Sequence, residues 1–269
     1  PYFGKLKMCN ITAQQIITWQ NELINYKDDN GKPYSPVYLK TIHNQLSAIF
    51  NHAVRFYGLK VNPAATVGNM GKAEYKEMLF WTTEEYTKFA NEMMDKPLSY
   101  YAFQMLYWCG IRVGELLALT PSDFDFNNKT VTISKSYQRL HGEDIITSPK
   151  TPKSNRTIKM PQFLCDEMQE YINMFYEAGE NDRIFPISKS YLHHEMDRGS
   201  DKAGVKRIRI HDLRHSHVSL LIDKGFQPLA IADRVGHESV DITYRYAHLF
   251  PSKQIEMVNT LDEIWKGDN

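Results

Sequence analysis

Cysteine is scarce, long apolar runs are missing and the charges cancel; each absence narrows the field. The three cysteines, Cys9, Cys109 and Cys165, are odd in number and far apart, with no CxxC and no Cys/His ligand spacing. That excludes a disulfide framework and a structural zinc and fits a reduced intracellular compartment. No apolar stretch approaches the roughly 18 to 20 residues that span a bilayer, so the expectation is a soluble, cytoplasmic protein with no membrane partner. No GxxxxGKS/T loop occurs, which removes P-loop nucleotide chemistry. The chain opens on Pro1, with neither an initiator Met nor a signal peptide; it reads as a trimmed piece, and an additional N-terminal domain stays open.

A formal net charge of zero weighs against a nucleic-acid partner, because such domains usually carry a basic balance. The distribution reverses that argument. Lys129, Lys135, Arg139, Lys150, Lys153, Arg156 and Lys159 face only Glu143 and Asp144 in one segment. Arg198, Lys202, Lys206, Arg207, Arg209 and Arg214 face Asp201 and Asp212 in another. The bland alternative is two solvated surface loops.

At 269 residues the chain has room for two domains. Ile16, Trp19 and Leu23 recur at helical spacing and predict a helix from about Thr12 to Tyr26. Ser35 as N-cap and Pro36 at the first helical position start a longer helix, with Leu39, Ile42, Leu46, Ile49 and Ala53 on its apolar face. The expected organisation is a helical module over 1–70, a linker over 71–81, and a larger unit over 82–269 opened by the capping box Thr82-x-x-Glu85. That unit reads as mainly helical. A buried helix at 97–109 closes on Gly110, and three β-branched runs, from Thr130, Asp144 and Arg156, predict one small antiparallel sheet.

Several short patterns carry possible chemistry. Arg112 stands two residues after Gly110, with Glu115 three residues on and an apolar run behind it. A charge there must be paired or hold an anion, and a structural Arg–Glu pair is the simpler reading. His211 and Arg214 lie one helical turn apart and address one point, which also describes an ordinary helix-start network. The His211-Asp212 pair fits a metal phosphohydrolase, but the further ligand motifs such enzymes need are missing, so neither metal nor cofactor is expected.

The combination, in order, of Arg112, a lysine-rich hairpin with Lys150-Thr-Pro-Lys153, His211-x-x-Arg214, Gly236-His237 and Tyr246 resembles the tyrosine recombinase (phage integrase) family, in the manner of the integrases of bacterial conjugative transposons. The resemblance covers roughly residues 80 to 250, and the helical module before it looks like the family's core-binding domain. It implies a site-specific DNA recombinase of a bacterial mobile element that breaks and rejoins strands through a covalent 3′-phosphotyrosine. The residue types suit that chemistry. Arg112 and Arg214 offer planar forks of donors to a five-coordinate phosphorus, and His211 and His237 add further donors.

The resemblance also implies roles. Tyr246, nine residues after His237, is the nucleophile. Tyr244 is then a packing residue, since helical neighbours two apart point away from each other. His211 assists deprotonation, Glu115 orients Arg112, and a hairpin lysine protonates the departing 5′-oxygen. Lys150 matches that lysine; Lys153 and Lys135 are alternatives. The DNA is gripped in a clamp, with Lys40, His43 and Asn44 on the polar face of the second helix and Lys135, Lys153, Arg156, Arg207 and Arg209 as contacts. The partners implied are double-stranded attachment sites, a homotetramer exchanging the C-terminal tail after Pro251, and directionality or DNA-bending proteins. Two alternatives are a type IB topoisomerase-like relaxation activity and a catalytically silent DNA-binding regulator.

Overall fold

The structure is a computed structural model, and it describes residues 2–71, 78–149, 152–175, 179–244, 246 and 258. The chain divides into two compact units, Pro1–Glu77 and Met78–Asn269. The expected tail helix after Pro251, except Val258, and Lys150 lie outside the described residues.

The first unit packs helices α1 (Ala13–Asn25), α2 (Pro36–Phe56) and α3 (Pro63–Val67) around Ile16, Trp19, Leu39, Phe50, Ala64 and Met70. Each start is chemically marked. Thr12 and Gln15 form a reciprocal capping box, the Ser35 side chain accepts from the Tyr38 N–H ahead of Pro36, and Asn62 accepts from Ala64 and Ala65. These caps satisfy backbone donors that the helix itself leaves unpaired.

On α2, Leu39, Ile42, Leu46 and Ala53 face inward as expected, and the departures lie at three other positions. Phe50 is buried while Ile49 is 53% exposed, and His43 joins the core at 3% exposure. The stripe runs Leu39, His43, Phe50, Ala53, and His43 Nδ1 lies 3.1 Å from Gln20 Nε2, which also donates to the Gly68 carbonyl at 2.9 Å. His43 is therefore not on the polar face with Asn44; a polar partner on α1 offsets the cost of burying it.

The second unit is built on α5 (Pro97–Cys109), buried along nearly its whole length and packed against α4 (Thr83–Met93), α7 (Gln162–Asn173) and α9 (Asp212–Asp223). Trp81, expected in the linker, belongs to this core: its N–H donates to Ser216 Oγ and its indole to the Lys206 carbonyl. The short helix α6 (Val113–Leu116) follows α5.

The β-branched runs make two sheets rather than one. Strands β1 (Phe124–Asp125), β2 (Thr130–Ile133) and β5 (Arg156–Lys159) form the first, with Val131 opposite Ile158. Strands β3 (Ser136–Leu140) and β4 (Glu143–Thr147) form a separate hairpin. Its turn, His141-Gly142, has positive φ at both residues, the geometry that matches strand twist in a two-residue hairpin. The run from Asp144 had a closer partner in sequence than β2, and the mostly polar β3 gave little periodic signal. The unit is completed by α8 (Lys189–Ala203), α10 (Pro228–Val235) and α11 (Val240–Tyr244).

Candidate active site

Four local structures converge. Gly110, in the left-handed region at φ 62°, closes α5, and an added Cβ there would meet the His217 ring at 2.5 Å. Only glycine fits both demands. The turn that follows sets Arg112 at the N-cap of α6, where Glu115 Oε2 accepts from the Arg112 N–H and Oε1 from Nη1, both at 2.8 Å. His211 stands at the N-terminal boundary of α9, and Arg214 in its first turn. Gly236, left-handed again, closes α10 and presents His237.

Cross-contacts bind these pieces together. Arg112 Nη2 reaches the Gly236 carbonyl at 3.3 Å, and Arg214 Nη1 donates to the Gly110 carbonyl at 2.8 Å. Arg214 Nη2 is buried without a hydrogen-bond partner among the described residues. His237 Nδ1 pairs with Thr243 Oγ1 at 2.8 Å. Tyr246 lies beyond α11 in a turn whose N–H bonds the Thr243 carbonyl, and its hydroxyl meets His215 Nδ1.

Charge in the site is unbalanced. Glu115 is the acid for both Arg112 and Arg156, while among the described residues Arg214 bonds a carbonyl and no carboxylate. Three guanidiniums against one carboxylate leave an excess of two positive charges. Burial pushes Arg214 down to about 9, helped by Arg112 and Arg156. Burial first, then the arginine charges, pushes His237 down to about 3 and lowers His211. Burial and the neighbouring His211 push His215 down to about 4. Burial works to raise the Glu115 carboxyl, but the Arg156 and Arg112 guanidiniums hold it below the usual range. The result is a pocket of neutral imidazoles and fixed cations, complementary to an anion whose charge grows during reaction.

Other expected residues fall elsewhere. Arg156 is not a free surface contact: its side chain is 6% exposed, its Nη2 donates to Glu115 Oε2 at 2.9 Å and its Nε to the Arg234 carbonyl at 3.1 Å. A guanidinium so enclosed organises the site from behind. Tyr244 is not a packing residue; it is 54% exposed and Tyr246 is the buried one. Lys135 is held by Asp123 at 3.0 Å and Thr120 at 2.7 Å. Exposed Lys153 donates to the Glu238 carbonyl at 3.1 Å, beside His237. Arg207 pairs with Asp197, and Arg209 with Asp212. In the first unit Asn44 is exposed and Lys40 half-buried.

The sequence reading missed His215. Its signal was its position, one turn after His211 on the same helical face. Among the described residues no group of three or more His, Cys, Asp or Glu side chains could hold a metal ion.

Residues 76–253 match the phage integrase family, and residues 1–24 match the phage integrase N-terminal SAM-like domain. The chain is 31% identical to the ICEBs1 integrase of Bacillus subtilis (strain 168), over 98% of this chain and 74% of that protein. It is 26% identical to a XerC-like tyrosine recombinase of Caldanaerobacter subterraneus subsp. tengcongensis, over 97% of this chain and 73% of the relative. The fold is similar to that of the Tn1549 transposon integrase solved with transposon right-end DNA, with a TM-score of 0.75 at 19% identity, covering 99% of this chain and 89% of that one.

Proposed function

We propose that this chain, which belongs to the phage integrase family and is thereby a tyrosine-type site-specific DNA recombinase, cleaves and rejoins DNA through a covalent bond from Tyr246 to a 3′-phosphate. The observation that carries the reading is the buried Tyr246, whose hydroxyl meets His215 on the helix that also carries Arg214 and whose phenol lies near enough to act on the Arg214 charge.

In this reading the scissile phosphate sits over the arginine excess. Arg112 and Arg214 bind its non-bridging oxygens, Arg214 through Nη2, which has no hydrogen-bond partner among the described residues. Donors already fixed in place stabilise the five-coordinate phosphorus without reorganising during reaction. His237 and His211 add neutral donors. Tyr246 attacks phosphorus as the bond to the 5′-oxygen breaks, and that oxygen takes a proton from a lysine of the 150–153 segment. The phosphotyrosine keeps the energy of the broken bond, so a second 5′-hydroxyl reverses the step.

The substrate is duplex DNA, and the element's attachment sites are the targets; the bacterial cytoplasm is where they lie. Among the described residues no helix is long and apolar enough to cross a membrane. Strand exchange between two duplexes needs four coordinated sites, so the working form is a homotetramer, with the tail after Pro251 docked on a neighbouring protomer. Directionality or DNA-bending proteins bias the outcome. Sizing of protein–DNA complexes with and without that tail tests the assembly.

The chemistry is tested with nicked duplexes bearing element ends, in chelator. A denaturation-resistant protein–DNA band is expected from wild type and Tyr244→Phe and not from Tyr246→Phe. Binding without a band in any of the three leaves a DNA-binding regulator.

A further inference from the structure

His215 is the ring that the Tyr246 hydroxyl meets, through Nδ1, with ring centroids 5.6 Å apart. It occupies the second turn of α9, directly after Arg214. On its other edge, Nε2 lies 3.8 Å from Asp212 Oδ1. Asp212 is fully buried, and Arg209 grips its carboxylate through Nη2 at 2.7 Å and Nε at 3.1 Å. A hydroxyl, an imidazole and a fixed carboxylate therefore follow one another, the hydroxyl against one ring nitrogen and the carboxylate at ion-pair distance from the other, an order that suits an activated nucleophile.

We propose that His215 is the general base for Tyr246, taking the phenolic proton on Nδ1 as the tyrosine oxygen bonds to phosphorus, with Asp212 as the positioning charge behind it. The inference rests on Tyr246 being the nucleophile. The balance is complete: the Tyr246 O–P bond forms, the P–O5′ bond breaks, the phenolic proton goes to His215, and the 5′-oxygen is protonated separately. On proton transfer the imidazolium turns its charged Nε2–H edge to Asp212.

The surroundings decide when His215 is basic. His211, Arg209 and Arg214 oppose its charge and Asp212 favours it; His237 and Tyr246 face the same space. Without DNA burial first, then His211 and the cations, keep the ring neutral; with its proton on Nε2, toward Asp212, Nδ1 offers a lone pair to the hydroxyl. An arriving phosphodiester screens the arginines and raises the ring's proton affinity at the moment the phenol must ionise. His211 stacks edge-on against His215 at 5.1 Å, so the two imidazoles stand side by side.

The test uses the chain on a nicked duplex of the element end, with a second duplex whose scissile 5′-oxygen is replaced by sulfur. A thiolate leaves without a proton, so the second substrate reports only the nucleophile's side. His215→Gln and His215→Ala are compared with wild type, His211→Ala and Tyr246→Phe, with equilibrium binding to the same duplex as the folding control. Expected is a loss of about 100-fold or more in cleavage by both His215 variants, undiminished on the sulfur substrate. Their rates should climb with pH toward the tyrosine's own ionisation, where wild type is flat, and imidazole should restore part of the loss in His215→Ala.

Wild-type rates and an unchanged pH profile in DNA-bound His215→Gln overturn the assignment. Faster cleavage by His215→Ala also overturns it, marking the contact as a restraint on Tyr246. Loss confined to the oxygen substrate assigns His215 to the leaving-group side instead. If wild type and Tyr246→Phe alike give no covalent product on bound DNA, the underlying reading fails and takes this one with it.

Discussion

Arg156 lies against Glu115 inside the protein, with Nη2 2.9 Å from Oε2, Nη1 3.2 Å from Oε1, and both side chains almost wholly enclosed. The same carboxylate anchors Arg112, and Arg156 Nε ties the pair to the end of α10 just before Gly236 and His237. One acid thus sets the relative positions of three parts of the site.

Removing that acid should be costly. Glu115→Ala leaves Arg156 buried without its carboxylate, and about 3–5 kcal/mol of stability should be lost, read as a fall in Tm. Because the carboxyl is held below its ordinary 4.5, its contribution is present above that value and disappears as the pH falls through the folded pKa. The wild-type and Glu115→Gln melting curves should therefore converge in acid, below about pH 4.5.

Arg214 should show the opposite balance of stability and activity. Among the described residues its buried guanidinium bonds no carboxylate, which is unfavourable, so Arg214→Met is expected to melt no lower than wild type while cleaving about 100- to 1000-fold more slowly, the cost of losing a donor to the developing charge. Sulfate should raise the Tm of wild type by occupying the site and leave Arg214→Met unmoved.

Buried neutral histidines predict acid lability. His217 Nε2 accepts from Arg234 Nε at 3.0 Å, and burial first, then Arg234, pushes its pKa down to about 3. Unfolding restores an ordinary value near 6.5, so the unfolded chain binds more protons between these limits. Stability should fall as the pH drops from about 6.5 toward 3, and His217→Leu should flatten that slope in melts at a series of pH values.

Two lysines should separate in salt titrations of DNA binding. Exposed Lys153 stands beside His237, and its alanine variant should reduce the salt slope by about one. Lys135 already has Asp123 and Thr120, so Lys135→Ala should leave the slope unchanged and lower the Tm.

Helix starts were legible because each is written within four residues. Thr12 with Gln15, Ser35 before Pro36, and Thr82 with Glu85 make their bonds locally, whatever the rest of the chain does. The sheet was harder to read. Thr130–Ile133 and Arg156–Lys159 pair across a long insertion, and the intervening hairpin is too polar for periodicity to mark both its strands.

The order of Arg112, His211, Arg214, His237 and Tyr246 was visible to inspection and pointed to one family, because the residue types that stabilise a phosphoryl transfer are few. The sequence by itself determined the helix caps, the closure of α5 at Gly110, and this roster. The tertiary structure alone decided that Arg156 faces inward to Glu115, that His43 enters a core beside Gln20, and that His215 meets Tyr246. These contacts join residues 41, 23 and 31 positions apart. A buried charge or polar ring takes whichever partner packing brings within hydrogen-bond reach, and no local pattern along the chain specifies which one that is.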